Sequence, residues 1–113
     1  MAENKEHKFE AIFAVVNNGF ADSVMVAARE AGAKGGTILR ARGSSNIGVD
    51  KKYGLTVTPE KEILVILSRI EIKDAIMNAI YKHSADDPNN KAIVFSLPAE
   101  SIVGLKYDEY DEK

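Results

Sequence analysis

The chain has 113 residues, with 15 Lys+Arg against 17 Asp+Glu, a formal net charge of −2 and 45 % hydrophobic residues. That length holds one domain that buries about two-thirds of its unfolded surface, and the hydrophobic content is too high for a disordered chain. Cysteine is absent, which excludes a disulfide scaffold, a thiol nucleophile and Cys-ligated zinc, and the near-neutral charge argues against bulk nucleic-acid binding.

Residues 1–7 (MAENKEH) are polar and lack the apolar region of a signal peptide. They are expected to be a flexible N-terminus ahead of a single domain over residues 8–106. No apolar run approaches the roughly 20 residues of a membrane-spanning helix, so a cytoplasmic protein with no membrane insertion is expected. Phe9 to Val16 (FEAIFAVV) has the length and composition of a strand, ended by Asn17-Asn18-Gly19. Asp22 is placed to cap a helix from Ser23 to Ala31, with Val24, Ala28 and Ala31 on one stripe and Met25 beside them. Gly32 is placed to stop that helix in a left-handed cap. Thr37 to Arg42 (TILRAR) reads as a second strand, with Thr37, Leu39 and Ala41 on one face and Ile38, Arg40 and Arg42 on the other.

Gly43 to about Gly54 is rich in Gly, Ser, Asn and Asp and reads as an exposed loop. Glu62 to Leu67 (EILVIL) is the third strand. A second helix is expected from about Ile72 to His83, with Ile72, Ile76, Ala79, Ile80 and His83 on its buried side. Asp86 to Asn90 (DDPNN) is a turn cluster. Lys91 to Leu97 (KAIVFSL) is the fourth strand, and Ser101 to Leu105 is a candidate short fifth. Residues 107–113 form an acidic tail.

The order β-α-β-β-α-β fits a ferredoxin-like α+β fold, an antiparallel sheet with two helices on one face. Ile63 to Leu67 and Ala11 to Val16 are apolar at every position, so both faces of these strands are apolar. Two helices cover one face only. The other face needs a partner, and a homo-oligomer is the simplest supply.

Gly32 to Gly43 (GAKGGTILRARG), Glu60 to Leu67 (EKEILVIL), Asp74 to Tyr81 (DAIMNAIY) and the Leu97-Pro98 step followed by Glu100 and Ile102 together resemble the PII nitrogen-regulatory family, in a PII-like branch with a shortened central loop. The resemblance runs from about Phe9 to Leu105. It implies a homotrimer whose sheets pack together. It also implies a regulator rather than an enzyme, with an adenine nucleotide (ATP, ADP or AMP) as effector in the clefts between subunits and no required cofactor. The loop over residues 43–54 would then dock on a target enzyme, transporter or regulator, in nitrogen metabolism or transport.

Carried over position by position, the resemblance places Gly35 and Thr37 near an adenine, Val65 or Ile66 as strand backbone beside the base, and Arg42 and Gly43 near phosphates. A residue without Cβ, as at Gly43, lets backbone N–H groups approach a phosphate. Ser44 and Ser45 could offer hydroxyls, Lys91 and Lys106 could contribute charge, and Tyr53 reads as a partner contact in the loop. The chain departs from the family at Ser84 to Lys91 (SADDPNNK), which lacks the family's glycine-rich phosphate loop, at Gly104, where the family has arginine, and at Ile47, where it has glutamine. These departures argue against tight binding of ATP with 2-oxoglutarate. An alternative is a trimeric ferredoxin-like protein of CutA type with a metal-related or structural role. His7 and His83, far apart in a chain without cysteine, do not form a metal-ligand pattern.

Overall fold

The computed structural model describes residues 7–43, 60–86 and 92–106. Six elements follow in the order β1 (Phe9–Asn17), α1 (Ala21–Glu30), β2 (Thr37–Arg42), β3 (Glu60–Arg69), α2 (Ile70–Ala85) and β4 (Ile93–Ala99). The strands form one sheet in the order β2-β3-β1-β4, and every pairing is antiparallel. This is the ferredoxin-like arrangement expected from the strand and helix order.

Both helices cover one face. The even-numbered side chains of the central strands point to them: Ile12, Ala14 and Val16 from β1, and Leu64 and Ile66 from β3. Val24, Met25 and Ala28 of α1 and Ile76 and Ile80 of α2 close over these residues. Ser84 continues the α2 stripe at the next i+4 position. It is buried where His83 was expected, because 3.6-residue periodicity carries Ile76 and Ile80 forward to residue 84. Its hydroxyl bonds the carbonyls of Ile80 and Tyr81, each at 3.2 Å, so a polar side chain sits on an apolar stripe without cost in unmet hydrogen bonds.

Strand β2 has the bounds expected for it, whereas β3 and α2 are longer than their apolar cores. Glu60 and Lys61 join the ladder opposite Arg42 and Ala41, and Ser68 and Arg69 join it opposite Glu10 and Phe9. The chain then passes straight from β3 into α2. Helix α1 ends as expected: Gly32 adopts φ +117°, its N–H bonds Arg29 O at 2.9 Å and Ala33 N–H bonds Ala28 O at 3.0 Å, the paired bonds of a Schellman cap. The start of α1 differs. The helix begins at Ala21 with Phe20 as N-cap, and no side chain at that position caps it. Asp22 lies in the first turn instead, where its charge suits the helix dipole.

The candidate fifth strand over Ser101 to Leu105 does not form. The β1–β4 ladder ends with Phe9 opposite Ala99, so among the described residues no strand lies beside the chain past Ala99, and Gly104 turns the chain at φ +96°.

The second sheet face is uncovered in the single chain. Register places Ala11, Phe13 and Val15 beside Ile63, Val65 and Leu67 on one side and Ile93, Phe95 and Leu97 on the other, with Leu39 next to Ile63 at the β2 edge. Phe13 and Phe95 stack with ring centroids 5.1 Å apart. Leu39, Ile93, Phe95 and Leu97 are 43–67 % exposed, a continuous apolar surface across all four strands.

Candidate functional site

Strand β2 separates the expected binding residues into two groups. Gly35 and Thr37 lie at its start, while Arg42 and Gly43 lie at its far end, next to residue 44, where the expected loop continues. Six strand residues put about 17 Å between these ends. One chain therefore does not gather the expected set into one pocket. Ser44, Ser45, Tyr53 and Lys91 lie outside the described residues. Lys106 is exposed beyond β4 and does not line the cavities described below.

At the Arg42 end of β2, Arg40, Arg42, Asn18, Glu60 and Lys61 surround an open concavity of about 390 Å³. Arg40 and Arg42 are opposite Glu62 and Glu60 in the ladder. Among the described residues, neither guanidinium makes a hydrogen bond or ion pair. Glu62 turns its carboxylate elsewhere: Oε1 accepts the Ala21 N–H at 3.0 Å. Lys61 Nζ donates to Asn17 Oδ1 at 2.7 Å. Two unpaired guanidiniums at one rim suit a small multivalent anion, because a planar fork of donors matches carboxylate and phosphate oxygens. Asn18 and Lys61 were not legible as site residues. They reach it through the β1 turn and the β2–β3 register, neither of which a motif records.

At the opposite end, Lys34, Leu67, Ser68, Arg69 and Ile72 border a smaller cavity of about 140 Å³ beside Gly32. Ser68 is buried and donates to Arg69 O at 2.8 Å. Arg69 pairs with Glu71 at 3.2 Å. Gly35 lies just before this end of β2 with open space around it. Gly36 is the constrained glycine: a Cβ there would stand 3.0 Å from Leu64 Cδ1, Met25 Sδ and the Val65 carbonyl. Thr37 sits directly opposite Val65 on the uncovered face. Ile66 is wholly buried, so its side chain belongs to the core and only its backbone could meet a ligand.

Two polar pairs lie away from these cavities. Glu10 is buried and receives His7 Nε2 at 2.6 Å, so His7 is tied to the domain rather than part of a free N-terminus. Burial pushes the Glu10 carboxyl up, but hydrogen bonds from His7 and Ser96 and the nearby charge of Lys73 outweigh it and hold the group below the ordinary carboxylate value. His83 Nε2 lies 3.2 Å from Ser23 Oγ, joining the end of α2 to the start of α1. Ser23 donates its only hydroxyl proton to Phe20 O at 3.1 Å. The imidazole therefore donates to the hydroxyl, which is the wrong direction for activating a nucleophile. Among the described residues no three His, Asp or Glu side chains gather as metal ligands, and no helix is long and apolar enough to cross a membrane.

No family model matches the sequence, and no curated protein matches it. Solved structures do match. The PII protein of Arabidopsis thaliana, determined bound to citrate, superposes with a TM-score of 0.61 at 20 % identity, over 87 % of this chain and 81 % of that one. A protein described as PII-like signaling from Thermus thermophilus gives 0.64 at 17 % identity, over 93 % and 97 %. A duf3240 family protein from Shewanella baltica gives 0.66 at 13 % identity, over 89 % and 100 %. At these identities the likeness is one of fold, and it agrees with the resemblance carried by residues 32–43 and 60–67: this chain has the ferredoxin-like fold of PII and PII-like proteins.

Proposed function

We propose that this chain is a subunit of a homotrimeric PII-like signalling protein. It binds a small multivalent anion, of the adenine-nucleotide class, and regulates a target protein through residues 43–54, in nitrogen metabolism or transport. On this reading it is a cytoplasmic regulator rather than an enzyme. The observation that carries the reading is the pair Arg40 and Arg42, unpaired among the described residues around an open concavity at the base of that segment. The citrate on the Arabidopsis PII protein supports a small polyanion as the ligand class.

Self-association has its own physical support. An apolar face spanning four strands is costly in water and is removed by packing against other copies. Association also supplies a way to unite the two ends of β2. Residues about 17 Å apart in one chain can meet across a boundary between two copies, the Thr37 end of one beside the Arg42 end of the next.

A thermal-shift screen with ATP, ADP, AMP, cyclic nucleotides, 2-oxoglutarate, citrate and bicarbonate tests the ligand reading. A ligand that binds only the folded state raises the melting temperature by linkage. The expected result is a shift of several degrees with at least one of these anions, lost in Arg42→Ala. A panel without any shift in the wild-type protein overturns the reading.

A further inference from the structure

Three consecutive residues at the start of β3 hold the turn between β1 and α1. Glu60 O accepts Asn18 N–H at 3.1 Å, Lys61 Nζ donates to Asn17 Oδ1 at 2.7 Å, and Glu62 Oε1 accepts Ala21 N–H at 3.0 Å. The same residues face the concavity-lining strand: Glu60 lies opposite Arg42 and Glu62 opposite Arg40. Directly opposed residues have Cβ atoms about 5 Å apart, so the Glu62 carboxylate is within reach of two competing donors. One is the first amide of α1, and the other is the Arg40 guanidinium. In this structure it serves the helix, and Arg40 is left without an ionic partner among the described residues.

We propose that Glu62 is a switch residue coupling anion binding at Arg40 and Arg42 to the N-terminus of helix α1. This inference rests on the reading of the concavity as an anion site. Without an anion, Arg40 draws Glu62 part of the time and the first turn of α1 frays. An anion that occupies Arg40 and Arg42 removes that competitor, so Glu62 stays on Ala21 N–H and the first turn tightens. Linkage makes the coupling reciprocal: a state in which Glu62 caps α1 binds the anion better than one in which Glu62 pairs with Arg40. The effect reaches α2 through His83, whose imidazole holds Ser23 in that first turn. A signal at the Arg42 end of β2 is thereby carried to the helical layer.

The test is amide hydrogen exchange by NMR on the full chain, titrated with inorganic pyrophosphate, with sodium chloride at matched ionic strength as the control for screening. Saturable shifts of the Arg42 and Gly43 amides report binding, and the Ala21 exchange rate reports the cap. The expected result is a several-fold slowing of Ala21 exchange at saturation in the wild-type protein, absent with sodium chloride. Glu62→Gln keeps an acceptor for Ala21 N–H but loses the attraction to Arg40, so Ala21 exchange is slow with and without pyrophosphate. Arg40→Gln, which removes the competitor from the other side, gives the same slow exchange. Saturable shifts at Arg42 and Gly43 with no change at Ala21 overturn the coupling and leave the anion site standing. Slowing of Ala21 that persists unchanged in Glu62→Gln also overturns it. Absence of shifts at Arg42 and Gly43 overturns the anion site, and the coupling with it.

Discussion

Glu62 caps helix α1 from another strand: its Oε1 accepts the N–H of Ala21 at 3.0 Å across 41 residues of sequence. The residue that local sequence favours for this task, Asp22, sits in the first turn and caps nothing. Glu62→Ala is therefore expected to destabilise the fold by about 1 kcal/mol, the usual cost of losing a helix cap. Asp22→Ala should cost about 0.5 kcal/mol or less, through the helix dipole alone. Urea denaturation of both variants checks the order, and a larger loss for Asp22→Ala refutes the long-range cap.

Gly36 and Gly35 are neighbours with opposite tolerances. A Cβ at Gly36 would meet Leu64, Met25 and the Val65 carbonyl at 3.0 Å, while none of the surrounding atoms lies within 4 Å of a Cβ at Gly35. Met25 can bend away, but the carbonyl belongs to a ladder strand and cannot. Gly36→Ala is expected to lose about 1–3 kcal/mol as overpacking. Gly35→Ala should stay within about 0.5 kcal/mol. Melting temperatures of the two variants decide this, and equal losses count against the packing role of Gly36.

Much of the fold was legible because hydrophobic periodicity is a local signal. The bounds of β2, the Gly32 stop and the α1 stripe of Val24 and Ala28 with Met25 beside it follow from periodicity and turn chemistry in adjacent residues. The features that escaped are those set by register or by distant chain. Lys61 reaches the concavity because it pairs with Ala41, and its place just outside an apolar run gave no sign of that. Ser84 is buried on α2 although its residue type reads as exposed, since hydrogen bonds to the preceding turn satisfy its hydroxyl. The candidate site divided for a related reason. The resemblance named positions along the chain, but the extended geometry of β2 holds Thr37 and Arg42 at opposite ends.

The uncovered sheet face predicts self-association. Phe95 and Leu97 are 43 % and 52 % exposed in the single chain, at the centre of a strand whose apolar side chains continue onto β1 and β3. Light scattering after size exclusion is expected to return a trimer. Leu97→Asp places a charge on that face and should shift the population toward monomer, because an unpaired charge is strongly disfavoured in an apolar interface. A monomeric wild-type protein at micromolar concentration rejects the face as an interface.

The Glu10 carboxyl gives the fold a pH dependence of known sign. Its value in the folded state is lowered, the bonds from His7 and Ser96 and the charge of Lys73 outweighing burial. A group whose folded value lies below its unfolded value binds fewer protons when folded, so stability rises with pH through that range. The contribution is fully present above the unfolded carboxylate value and is lost as pH falls through the lowered folded value. Glu10→Gln should therefore be less stable than wild type at pH 7, and the gap should close as the pH is brought down through the acidic carboxylate range. His7→Ala removes one of the two hydrogen bonds and should narrow the same gap in part. Denaturation midpoints across that range measure both, and a gap that widens toward acid shows that the buried carboxylate acts with the opposite sign.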